Sequence, residues 1–147
     1  MLKIFSALLI AASTASAKWI VPGARWRDTD GNLVNAHAGC VTRDGNGTFW
    51  LFGEYKVQGQ VEGGGVSVYS SDDLATWKHH GLALEAVEGH PYIAPSHIIQ
   101  RPKVIYSEAT RKWYVRLSLR LRPRARTRPL FDLQCLLLVH GKLAYRP

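Results

Sequence analysis

From residue 36 onward the chain alternates short apolar stretches with polar, glycine-bearing breaks. That pattern belongs to strands rather than to helices. Ala36 to Thr42 is small and apolar, which suits a strand lying close to its neighbours. Asp44-Gly45-Asn46-Gly47 then reads as a hairpin turn, because Gly and Asn accept positive φ at little cost. Thr48 to Glu54 is aromatic and β-prone. Gln58 to Gly65 carries four Gly and predicts a loop. Val66-Ser67-Val68-Tyr69-Ser70 alternates apolar and polar with period two, as a half-buried strand does. Ser71 to Thr76 is a polar turn, and Trp77 to Leu84 is a shorter strand. Four successive antiparallel strands are therefore predicted. A Pro- and His-bearing connection follows, Glu88 to His97. Arg101 to Tyr106 starts another strand, Ser107 to Lys112 turns, and Trp113-Tyr114-Val115 begins the return. No segment has the helical period. One four-stranded unit followed by half of a second is the local grammar of a β-propeller, with a sandwich or a single barrel as the alternative.

The N-terminus changes this picture first. Lys3 precedes an apolar run, Ile4 to Ala12, and Ala15-Ser16-Ala17 places small residues at both positions of a cleavage site. This order predicts a secretory signal peptide over residues 1–17 and a mature chain of 130 residues starting at Lys18. The apolar run is too short to span a bilayer, so no membrane association is expected after cleavage. Secretion gives meaning to Asn46-Gly47-Thr48, an N-glycosylation sequon placed in an exposed turn. Cys40 and Cys135 are the two cysteines. An oxidising compartment would let them pair, while the small apolar surroundings of Cys40 suit a buried free thiol.

The net charge of +8 suggests a nucleic-acid binder until it is located. Residues 1–115 carry 11 Lys and Arg against 10 Asp and Glu, whereas residues 116–147 carry 8 against 1. The basic excess is thus a property of the last 32 residues, and no basic face spread over the body is expected. Arg stands at 116, 120, 122, 124, 126 and 128, among Leu and two Pro. A strand with Arg on one face and Leu on the other fits part of this text, but Pro123 and Pro129 interrupt it. Arg, Pro and Leu in bulk are what GC-rich DNA yields out of frame, so residues 116–147 are expected to be foreign to the fold. The alternative is an arginine-rich arm for an anionic polymer. Nothing aromatic is interleaved over 116–130 on which bases could stack, and no nucleic-acid partner is expected.

Several pieces of the body occur in a telling order. Trp26-Arg27-Asp28-Thr29-Asp30-Gly31-Asn32 leads into Asn35-Ala36-His37-Ala38-Gly39. Phe49-Trp50-Leu51-Phe52-Gly53-Glu54 follows, then Val68-Tyr69-Ser70-Ser71-Asp72-Asp73-Leu74-Ala75-Thr76-Trp77. Gln100-Arg101-Pro102-Lys103-Val104-Ile105-Tyr106 comes last, ahead of Lys112-Trp113-Tyr114-Val115. Over roughly residues 19–115 this resembles the start of glycoside hydrolase family 43, in its exo-β-1,3-galactanase branch. The Ser-Asp-Asp-Leu-x-x-Trp turn is shared by many sugar-processing propellers and is mostly structural. The remaining pieces, in that order, are far more specific.

The resemblance implies an all-β fold: the N-terminal one and a half blades of a five-bladed β-propeller, truncated, over residues 18–115. It implies a secreted, extracellular, inverting exo-hydrolase acting on β-1,3-linked galactan side chains of plant cell-wall polysaccharide. A monomer without cofactor or metal is expected. Glu54 would bond hydroxyls of the terminal galactose, with His37, Gln100 and Arg101 beside it. Arg101 has a plainer alternative, that of orienting Glu54. Lys103 reads as a solvated strand charge, and Trp19, Trp26, Trp50, Trp77 and Trp113 as blade core.

An inverting glycosidase needs an acid and a base flanking the bond, roughly 6.5–9.5 Å apart. Most of the family places an Asp base on the first inner strand, where this chain has Asn35-Ala36-His37. Asp28, Asp30, Asp72, Asp73 and Glu108 read as turn residues, and the tail offers one Asp, Asp132. The catalytic acid and base are therefore unknown here, and the chain is expected to be inactive as it stands. The second expectation is a non-catalytic secreted carbohydrate-binding protein.

Overall fold

The structure is a computed structural model that describes residues 19–57, 63–107, 109–110, 112–120 and 132–138; residues 63, 120 and 132–138 are described by their backbone. The expected signal peptide, most of the Gln58–Gly65 loop, Glu108 and much of the Arg-rich tail lie outside these residues. Two antiparallel sheets account for the fold, and no helix occurs among the described residues. None of those residues forms a helix long and apolar enough to cross a membrane.

The first sheet is a meander of four strands: β1 (His37–Arg43), β2 (Phe49–Lys56), β3 (Gly63–Ser71) and β4 (Lys78–Glu85). Period-two alternation sorts its side chains onto two faces. Phe52, Val66 and Val68 face the second sheet. Leu51 and Tyr69, with Trp77 from the β3–β4 turn, build a smaller cluster with Val34, Ala36 and Phe49. The β1–β2 turn closes as its residues predict. Asp44 Oδ1 accepts the amide protons of Asn46 and Thr48, Oδ2 accepts the Trp50 indole N–H at 2.9 Å, and Gly47 takes φ 92°. Asp73 holds the β3–β4 turn by accepting the amide protons of Ala75 and Thr76 and the Thr76 hydroxyl proton. Those donors pull its carboxyl far below the ordinary carboxylate range. Asp28, one of the two buried carboxylates among the described residues, likewise accepts turn amides, from Asp30 and Asn32. These aspartates are turn formers, as expected.

The second sheet has the order β5 (Ile98–Ser107), β6 (Lys112–Arg120), β7 (Asp132–Leu138). Ile99, Val104, Val115, Leu117 and Leu119 face the first sheet and complete the main core with Phe52, Val66, Val68 and Ile93. Two strands were expected in this sheet, and a third is found. β6 runs through the compositional boundary at residue 116 without a break: Arg116 is exposed, while Leu117 and Leu119 are buried. The Arg-out, Leu-in alternation is enough to extend a strand that already has a partner and a core beneath it. β7 pairs along its whole length with Tyr114–Arg120.

The tryptophans divide. Trp77 is buried, and Trp50 and Trp113 lie against the core. Trp19 and Trp26 do not join it, being 86% and 43% exposed. They precede β1, where a tight turn at Asp28–Gly31 and a bridge from Asp28 to Trp77 hold the chain along the edge of the sheet.

Candidate functional site

The two sheets meet at β1, β2 and β5, and three hydrogen bonds join them there. Lys103 Nζ donates to the Gly39 carbonyl at 3.3 Å, and the Val104 amide to Cys40 Sγ at 3.3 Å. The Arg101 amide donates to Glu54 Oε1 at 2.9 Å. Cys40 is a free thiol. Burial pushes it above its ordinary value, against the opposing influence of the Val104 amide and Lys103. The side chain of Cys135 lies outside the described residues, and so does any pairing it makes.

Glu54 sits at the centre of this junction and is 1% exposed. Its place follows from the strand pattern: Phe52, Glu54 and Lys56 share one face of β2 by period two. Phe52 begins that face in the core, and Glu54 continues it to the sheet end. Oε2 accepts from Lys56 Nζ at 2.8 Å and lies 3.2 Å from His37 Nδ1. Burial is the largest single influence on Glu54 and opposes its charge. Lys56, the Arg101 amide and His37 together outweigh it and hold the carboxyl below its ordinary value. Glu54 is therefore ionised at neutral pH, buried and donor-saturated on three sides. A carboxylate has about four lone-pair positions, so one is left for a further donor.

His37 is the Cα partner of Glu54 across β1 and β2, and its side chain is 70% exposed. If the ring is neutral and Nδ1 carries the proton given to Glu54, Nε2 is the acceptor of this largely exposed side chain. An open depression of about 370 Å³ begins beside it, lined by Trp26, Val34, Asn35 and Leu51 among others.

Backbone irregularities face each other across Glu54. The register of β1 slips between His37 and Cys40, and that of β5 between Gln100 and Lys103. Within the first, Ala38 has φ 46°; within the second, Arg101 has φ 50°. Residues with a Cβ occupy that region at a cost and cluster where a backbone group has to be aimed. Here the bulge in β5 aims the Arg101 amide at Glu54. It also leaves the Arg101 side chain exposed and Gln100 half-buried at the mouth of the junction.

Of the sequence candidates, His37 and the backbone of Arg101 meet Glu54, while Gln100 adjoins Arg101 in β5 without a bond to Glu54 among the described residues. Arg101 orients Glu54 through its amide rather than its guanidinium, and the ion pair is made by Lys56. Sequence reasoning missed Lys56, although its position two residues after Glu54 on a strand was the available signal. It also missed Asn35, whose side chain exchanges two hydrogen bonds with the Lys56 backbone, at 2.8 and 2.9 Å. The Asn35 carbonyl accepts from the Ser67 hydroxyl, so the segment carrying Lys56 is fixed on both sides. Among the described residues no group of three His, Cys, Asp or Glu is arranged to hold a metal ion.

Chemically, Glu54 is an anchor and a hydrogen-bond acceptor. A carboxyl kept ionised cannot serve as the protonated acid of a glycosidase. Asp28, the other buried carboxylate among the described residues, is committed to its turn.

Similar solved structures give this geometry a context. A family-43 β-1,3-galactosidase solved with galactodeoxynojirimycin is 41% identical, with a TM-score of 0.63 over 70% of this chain and 30% of its own. An exo-β-1,3-galactanase from Phanerochaete chrysosporium, solved as a variant with β-1,3-galactotriose, is 35% identical. Its TM-score is 0.64, over 67% of this chain and 23% of its own. An exo-β-1,3-galactanase from Clostridium thermocellum is 32% identical, with a TM-score of 0.61 over 68% of this chain and 21% of its own. This chain therefore spans less than a third of the length of each. No protein-family model matches the chain, and no curated protein does.

Proposed function

Because this chain belongs to glycoside hydrolase family 43, within its exo-β-1,3-galactanase branch, and builds part of that family's β-propeller, we propose that it carries the sugar-holding side of a secreted exo-galactanase. The substrate of such an enzyme is a β-1,3-linked galactan side chain of plant cell-wall polysaccharide, and galactose leaves with inversion. The observation that carries this reading is a buried, ionised Glu54 held by His37 and the Arg101 amide, in a chain 31–41% identical to β-1,3-galactosidases and exo-β-1,3-galactanases.

The roles follow from the donor and acceptor inventory. Glu54 holds His37 in one orientation and offers one remaining lone pair to a sugar hydroxyl. His37 Nε2 accepts a second hydroxyl, the Gln100 amide donates and accepts, and the Arg101 guanidinium donates. None of these groups activates water or protonates a leaving oxygen. Through these described residues the chain binds a sugar without cleaving it.

A second reading, a secreted carbohydrate-binding protein without catalysis, rests on the same lack of an acid–base pair among the described residues. One experiment bears on both. The full chain is passed over immobilised β-1,3-galactan and eluted with galactose, and a separate galactose-free sample of the chain is incubated with the polymer and assayed for released galactose. Specific, galactose-competed retention supports the sugar-holding role; passage without retention refutes it. Galactose release would overturn the assignment of a binding-only role to this chain.

A further inference from the structure

We propose that Asn46 is an N-glycan acceptor and that the tip of the β1–β2 hairpin carries a single glycan, directed away from the Glu54 site. The inference stands apart from the galactan reading. Of the three asparagines, Asn32, Asn35 and Asn46, only Asn46 is followed by a residue other than Pro and then by Thr.

The structure leaves the acceptor side chain exposed, while the side chains around it are tied to one another. Asp44 accepts the amide protons of Asn46 and Thr48 and the indole proton of Trp50. Arg43 lies over the Phe49 ring and donates to the Gly47 carbonyl at 3.0 Å. The Thr48 hydroxyl donates to Asp72 Oδ1 at 3.3 Å. The Asn46 carboxamide is exposed and makes no hydrogen bond among the described residues. Its nitrogen, the atom to which the sugar is joined, carries no partner that modification would have to displace.

The chemistry is a condensation. The side-chain nitrogen bonds to the anomeric carbon of a lipid-linked oligosaccharide, the pyrophosphate leaves, and the amide loses one proton. Because Thr48 is engaged with Asp72 in the folded hairpin, transfer belongs to the emerging chain, before the β3–β4 turn closes over it.

Position gives the glycan its consequence. Thr48 and Glu54 are six residue steps apart along the strand, roughly 20 Å at about 3.3 Å per residue. The glycan stands over the Arg43, Asp72 and Asp73 end of the sheet and leaves the His37–Glu54 end open.

The test delivers the full chain to a eukaryotic secretory lumen behind a leader of proven function. The peptide holding residue 46 is then read by mass spectrometry before and after peptide-N-glycosidase. The expected result is a glycan on Asn46, converted to aspartate on release. It is retained in Thr48→Ser and lost in both Asn46→Gln and Thr48→Ala. Recovery of unmodified Asn46 from lumenal protein overturns the proposal, as does a glycan that survives Thr48→Ala. Modification of the emerging chain does not require folding, so a variant that folds poorly still reports.

Discussion

At Glu54 a charged carboxylate sits almost without water, so its neighbours have to supply what solvent would. Its lowered pKa ties this to stability. The contribution is fully present above the ordinary value of 4.5 and is lost as pH falls through the depressed folded value. Glu54→Gln should flatten that acid limb in denaturant unfolding followed against pH; an unchanged limb would show that other groups control it. Lys56→Met removes the closest donor. With Lys56 27% exposed, the cost is expected at about 2 kcal/mol, below the range for fully buried pairs. Arg101 presents the opposite case. It holds φ 50° with an exposed side chain, and the group it gives Glu54 is its amide. Arg101→Gly should therefore raise stability by about 1 kcal/mol while weakening retention on galactan. A loss of stability would show that the guanidinium supports the fold. The order of motifs along the chain singled out Glu54 together with His37 and Arg101, and these three are in contact. The amide's role was not legible: Pro102 within a strand signals a bulge, but not that the bulge at Arg101 and Pro102 aims an amide at Glu54.

The strands of the first sheet were legible because each is short, alternating and bounded by an Asp- or Gly-bearing turn. One of its tight spots is Gly53, opposite the segment entering β1. A Cβ there would run into the Ala36 backbone. Gly53→Ala should force β1 away from β2 and cost about 3 kcal/mol, because backbone cannot swing aside as a side chain can. A thermal melt within a few degrees of the parent would show that β1 adapts. The second sheet was only partly legible. Pro123 and Pro129 lie beyond Arg120 and do not interrupt β6, whose Leu117 and Leu119 complete the core. Composition averaged over 32 residues concealed an alternation that operates over five. β7 could not be anticipated, since its pairing with β6 is a tertiary choice of a leucine-bearing segment for an open edge.

For the molecule as a whole, the arrangement is two sheets sharing one core, with the polar junction at the end where β1, β2 and β5 meet. Buried Glu54 ties the sheets through the Arg101 amide and sets the orientation of His37, and the proposed sugar contacts rest on that arrangement. Its ionised state and the commitment of Asp28 to a turn predict that the chain alone releases no galactose from β-1,3-galactan, measurable by a galactose-specific assay. The most direct test of the account is a nuclear magnetic resonance titration of the full chain with β-1,3-galactotriose, observing the His37 ring and the Gln100 side-chain amide. Saturable shifts of both are predicted, displaced by galactose, with a weaker shift of the Gln100 amide in a His37→Ala variant whose own spectrum stays well dispersed. A well-dispersed spectrum in which neither signal moves, or in which His37→Ala changes nothing, would contradict it.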